Sequence, residues 1–208
     1  MKNFLKMFIL AAGLVLCLNA SSFASIDLAV WNGNAFDGNV RVKLHHAPPG
    51  AGHDTEKADY TATQIGFKAH YNLELSPAID LGLGVFYQYA RIPHATMPIG
   101  YDDPFTRNSL GVDVAFIFSI ASMPQLFPYV RVCYSFLDFL KFDKDYDASG
   151  DGVGIGAGLE LGITQNARIF FELMYEKGWL EKKDIPGYDK IELNANQTDL
   201  NIGLKLLF

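Results

Sequence analysis

Apolar and polar residues alternate along most of the chain. From Gln64 to Leu75 the apolar set is Ile65, Phe67, Ala69, Tyr71, Leu73 and Leu75, and every polar side chain falls between them. Successive residues of a strand point to opposite faces, so this period of two predicts a two-faced strand, whereas a helix would mix the two sets. The same pattern recurs from Ile79 to Ala90, Leu110 to Ile120, Val130 to Phe136, Val153 to Ile163, Ile169 to Glu176 and Leu200 to Phe208. An eighth strand is predicted near Ile26 to Phe36, blurred in its upper half by Gly33 and Asn34. Ser76-Pro77, Ala121 to Leu126 and Thr164 to Ala167 are short connections. Asp37 to Thr63, Pro93 to Ser109, Leu137 to Gly152 and Lys177 to Thr198 are long and polar.

One face of these strands is large and aromatic, and the other carries glycine, small residues and charges. Eight strands enclose a space just wide enough for side chains. So many Phe, Tyr and Leu side chains do not fit inside it, whereas glycines and a few charges do. The apolar face is therefore placed against lipid, where only a closed sheet pairs every backbone group. The prediction is an all-β, eight-stranded antiparallel up-and-down transmembrane β-barrel with short periplasmic turns and long extracellular loops. Tyr87, Tyr89, Tyr134 and Tyr175 lie toward the loop ends of their strands, positions suited to an aromatic girdle. A soluble barrel with its apolar side chains inside is the alternative.

The N-terminus reads as a cleaved signal peptide over residues 1–24, leaving a barrel domain over 25–208: Lys2 and Lys6, then the apolar Met7 to Leu18, then Ser22-Phe23-Ala24. Removing the two lysines takes the net charge from −6 to −8. That acidity argues against nucleic acid as a partner. Cys133 is then the one cysteine left, so no intrachain disulfide forms.

The last strand, with Leu200, Ile202, Leu204, Leu206 and a final Phe208, resembles the C-terminal signal that outer-membrane proteins present to the barrel-assembly machinery. Pro128-Tyr129-Val130 opening a strand, and the run from Gly154 to Ile163 followed by a turn and Ile169-Phe170-Phe171-Glu172, are similar to small outer-membrane barrels of the OmpA/OmpX type. The resemblance implies the bacterial outer membrane, with both termini periplasmic. Its partners would be outer-membrane lipids, lipopolysaccharide, the assembly machinery and a possible extracellular ligand held by the loops. The periplasmic peptidoglycan-binding domain of longer relatives is expected to be absent.

The inner face holds Lys68, Arg131 and Lys205 against Asp80, Asp113, Glu160 and Glu172. Arg131, Glu160, Glu172 and Lys205 sit at similar depth, and Lys68 and Asp113 somewhat further in. Charges removed from water need partners, so these predict a structural ion network that fills the lumen. His45, His46 and His53 with Asp54, Glu56 and Asp59 fix no metal geometry. Asp145 to Asp151 is similar to half a calcium loop, but Gly156 stands where the bidentate Glu belongs. His70 with Ser135, and His94 near Thr96, specify no catalytic triad. No cofactor and no enzymatic activity are expected. The expected role is structural, adhesive or surface-interacting, with a narrow solute channel, a lipid-modifying enzyme or a soluble ligand-binding barrel as alternatives.

Overall fold

The computed structural model describes residues 24–46, 52–93, 104–141, 147–185 and 188–208. The proposed signal peptide, save Ala24, lies outside them, as do His94, Thr96, Asp145 and Tyr146. The strands are β1 (Ala24–His46), β2 (His53–Ser76), β3 (Ile79–Ile92), β4 (Phe105–Phe118), β5 (Leu126–Lys141), β6 (Asp147–Thr164), β7 (Ala167–Ile185) and β8 (Tyr188–Leu207). Each pairs antiparallel with its neighbour in sequence, and β8 pairs with β1 to close the barrel. At the short-turn end Ile26 and Phe208 exchange backbone hydrogen bonds of 3.2 and 2.8 Å, joining the first strand to the last residue.

At the long-connection end the strands run further than the lipid-facing pattern predicts. Asp37 to Thr63 is mostly a β1–β2 hairpin, and Lys177 to Thr198 mostly β7–β8. β2 pairs with β3 only from Thr63 downward, so β7, β8, β1 and β2 rise above the other four strands.

Around the lower part the outward side chains form an apolar belt. On β3 it runs from Ile79 through Leu81, Leu83 and Val85 to Tyr87 and Tyr89. Eleven residues rising ~3.4 Å each and tilted ~45° cover roughly 25 Å, the height of the apolar band on outer-membrane barrels. Ile155 (60% exposed), Val132 (55%) and Leu173 (52%) lie in this belt, exposures that in water would leave a large apolar patch. Tyr87, Tyr134 and Tyr175 sit at its upper edge. There the Tyr87 hydroxyl donates to Asn108 Oδ1 (2.8 Å) and that of Tyr134 to Asp151 Oδ2 (3.0 Å).

Above that edge the polarity inverts. Outward positions become Asn39, Arg41, Lys43, Lys57, Asp59, Asn194 and Asn196, while Val40, Val42, Leu44, Ala58, Tyr60, Leu140, Leu180, Ile191 and Leu193 turn inward and are buried together. The lower half is thus built like a membrane barrel and the upper half like a soluble one. On β2 and β8 the sequence itself changes phase. On β1 it does not: Ile26, Leu28 and Val30 below and Val40, Val42 and Leu44 above are all even-numbered. A one-residue β-bulge between Ala35 and Gly38 turns the strand over instead. A second bulge, between Ser135 and Asp138, does the same on β5 and brings Asp138 and Leu140 inside.

Candidate functional site

The lumen is the most heavily built part of the molecule. Inward positions of all eight strands converge there, and small residues leave room for long partners. Gly66 lies against the Trp31 indole and Gly84 against the His70 ring, so that a Cβ at either position would collide with them.

Near the short-turn end Lys205 bonds to Glu160 and lies 3.2 Å from Asp27. Arg168 Nη1 donates to Glu160 (2.9 Å) while its guanidinium stacks 3.7 Å from the Phe127 ring centre. Asn72 donates to Asp27 (2.9 Å), and His70 lies between Asp27 and Asp113, at 3.5 and 2.9 Å. One layer up, Arg131 pairs with Asp113 through Nε and with Glu172 through Nη1 (3.0 Å). Glu172 also accepts from Tyr129 (3.0 Å) and Asn201 (3.3 Å), with Lys68 3.7 Å away. The two cations are flanked by aromatic faces: Lys68 is 4.6 Å from the Phe170 ring centre and Arg131 is 5.2 Å from that of Phe86. Cation–π contact of this kind helps to replace lost hydration.

All six residues assigned to the network by sequence, Lys68, Asp113, Arg131, Glu160, Glu172 and Lys205, are buried in the lumen. The structure adds a further layer above them. Arg107 makes a two-pronged pair with Asp138 (2.9 and 2.6 Å) and reaches Glu176 at 3.4 Å; Ser109 donates to Asp138 (3.0 Å). Gln197 donates to Glu176 (2.9 Å) and Asp199 (3.0 Å), and Gln88 donates to Gln64 (2.8 Å). Tyr60 closes the layer by donating to Gln197 Oε1 (3.1 Å), and its ring meets Phe105 edge-on at 5.9 Å, where the apolar upper interior begins. Continuing the alternation of β4 downward in number from Asp113 would have found Ser109 and Arg107. Asp138 is hidden from such a reading by the β5 bulge.

Buried carboxylates outnumber fixed buried cations. Lys68, Arg107, Arg131 and Lys205 face Asp27, Asp113, Asp138, Glu160, Glu172, Glu176 and Asp199. Asp199 makes no ion pair among the described residues, and its Oδ1 has no hydrogen-bond partner.

At the long-hairpin end His45 lies 3.3 Å from Glu192 and His46 2.9 Å from Asp54. Lys190 donates to Glu192 and, with His45 beside it, holds that carboxyl below the usual carboxylate range. Among the described residues no group of three or more His, Cys, Asp or Glu side chains is arranged to hold a metal ion.

A closed antiparallel barrel with an apolar belt outside and ion pairs inside defines a transmembrane barrel of the bacterial outer membrane. The chain belongs to the outer membrane protein beta-barrel domain family, whose model matches residues 8–208. Solved structures share the fold at low identity. The outer membrane protein OprG from Pseudomonas aeruginosa gives a TM-score of 0.52 at 11% identity, over 89% of this chain and 96% of its own. The outer membrane protease OmpT from Escherichia coli gives 0.52 at 11%, over 88% and 97%. The outer membrane protein AlkL gives 0.51 at 16%, over 91% and 92%. Among curated proteins none matches the sequence.

Proposed function

We propose that this chain is a non-catalytic barrel with a structural lumen and a surface-interaction role. Its long-hairpin end faces the outside, and both termini face the periplasm. The observation that carries this reading is the filling of the interior by the described residues: ion pairs and amides below, packed apolar side chains above. Such an interior supports the sheet and leaves the protruding hairpins as the part that meets partners. An even number of strands puts both termini at one end, and the short turns there suit the periplasmic side. In the same reading residues 1–24 are a removed signal peptide. Leu200, Ile202, Leu204, Leu206 and Phe208 form the outward ridge of β8 that the assembly machinery engages.

Two measurements test this. Shortening the protruding β1–β2 and β7–β8 hairpins should abolish adhesion of expressing cells to host surfaces while the unheated protein keeps its altered migration on SDS gels. In planar bilayers the purified protein should show no steady conductance. A stable open channel, or adhesion that survives loss of every long connection, would refute the reading.

A further inference from the structure

Low in the lumen three neighbouring side chains each leave one polar atom without a partner. Asp27 on β1 and His70 and Asn72 on β2 are 1, 2 and 7% exposed, and Asp27 Oδ1, His70 Nδ1 and Asn72 Oδ1 make no hydrogen bond among the described residues. The other polar atom of each side chain is engaged. Asn72 Nδ2 donates to Asp27 Oδ2 at 2.9 Å, Lys205 Nζ lies 3.2 Å from that same oxygen, and His70 Nε2 donates to Asp113 Oδ1 at 2.9 Å. Small residues leave room beside the three free atoms. Gly82 on β3 faces Asn72 across the sheet, and a Cβ there would stand 3.0 Å from Asn72 Oδ1, 3.4 Å from His70 Nδ1 and 3.6 Å from Ala115.

All three free atoms are acceptors. A carboxylate only accepts, so the imidazole proton lies on Nε2 toward Asp113, and Nδ1 presents a lone pair 3.5 Å from Asp27 Oδ1. Lone pairs that share one buried space repel one another unless a cation lies among them. A proton on Nδ1 serves poorly, because 3.5 Å exceeds the ~2.7–3.2 Å of an N–H···O bond and Asn72 Oδ1 still has no donor. A metal ion serves better. Two donors each ~2.1 Å from a tetrahedral ion stand about 3.4 Å apart, close to the 3.5 Å between Nδ1 and Oδ1. A metal-bound histidine ordinarily gives its other ring N–H to a carboxylate, as His70 does. Charge favours it too: the buried lumen residues include seven carboxylates against four lysines and arginines. Lys205 meets Asp27 at its other oxygen and is shared with Glu160.

The geometry points to a binding site in the lower lumen for one divalent transition-metal ion, zinc or an ion of like ligand preference, held by Asp27 Oδ1, His70 Nδ1 and Asn72 Oδ1. One imidazole nitrogen and two oxygens suit such ions. The third donor is an amide, so the site is not a cluster of acidic, histidine or cysteine side chains alone. Asp27 pairs in register with His70 on one side and with Leu207 on the other. The ion therefore fastens β1, the strand at which the barrel closes, to β2 and through Asp113 to β4. The site depends on neither the orientation nor the surface role proposed above.

The full-length protein, unfolded in urea with chelator and refolded into detergent micelles with zinc chloride, supplies the test. After transfer into EDTA buffer, exposed histidines release their zinc, whereas the buried site should retain about one ion per chain. Asp27→Asn should lower that retention at least about tenfold. Gly82→Ala keeps all three donors but fills the space beside them, and it should lower retention to the same extent. Altered gel migration before heating shows which variants fold. The wild type gives a second reading that needs no substitution. In nitrogen NMR spectra of its histidine rings, zinc should shift Nδ1 of His70 and leave Nε2 protonated. Absence of retained zinc, undiminished retention in either variant that folds, or a His70 ring protonated on both nitrogens in the presence of zinc would overturn the site.

Discussion

Arg131 illustrates why the lumen side chains act together. Its guanidinium bridges Asp113 and Glu172 across three strands, and all three side chains are buried. Removing one member of a buried pair leaves an uncompensated charge at a cost of ~3–5 kcal/mol. Arg131→Met should therefore lower the unfolding free energy from urea titration of the micelle-folded protein by that margin; an unchanged value would show that the network is dispensable. Asp199 behaves in the opposite sense. It brings a carboxylate with an unpartnered oxygen next to Glu176, so Asp199→Asn, equal in shape and uncharged, should raise the midpoint measured at neutral pH. Gly66 tests the packing: Gly66→Val would drive a branched side chain into the Trp31 indole, and the folded, fast- or slow-migrating band should vanish from unheated gels.

At the scale of the strand, the alternation rule was legible wherever the belt lies, because lipid imposes one consistent outward polarity. It faded above the belt. There Lys57, Asp59 and Thr61 outside Ala58, Tyr60 and Ala62 still alternate, but with the phase of a soluble barrel, and such stretches resemble polar loops when only one phase is sought. The charged lumen residues within the belt were visible for the same reason that the belt was. Asp138 was not, because the β5 bulge shifts the phase between Phe136 and Leu137, and the alternation of Val130 to Phe136 carried onward puts Asp138 outside. The inversion predicts opposite tolerances. Val132→Arg, outward within the belt, should cost ~2–4 kcal/mol of stability in lipid. Arg41→Val, outward above it, should leave stability unchanged, whereas Val40→Arg, inward at nearly the same height, should prevent closure of the upper barrel. Urea titrations in bilayers distinguish the three.

Seen whole, the molecule is two barrels sharing one set of strands. Each half hides its lower-solubility surface in its own way, the lower against lipid and the upper against itself. The lower half is held in register by charge pairs, which are directional, and the upper by apolar packing, which is not. Losing lipid should therefore loosen the lower half first. In hydrogen exchange from micelles of declining detergent concentration, amides of Val40, Val42 and Leu193 should stay protected after those of Val132 and Leu204 begin to exchange. Simultaneous loss would show that the two halves melt as one unit.

The bulge on β1 acts on the sequence as a change of reading frame acts on a message. Ile26, Leu28 and Val30 below the bulge and Val40, Val42 and Leu44 above it are all even-numbered, and a single supernumerary residue decides which of the two sets meets lipid and which the interior. Deleting one codon there would turn Arg41 and Lys43 inward and Val40, Val42 and Leu44 outward, with no other letter altered. On this strand, then, the height at which the barrel leaves the membrane is written in the number of residues rather than in their identity.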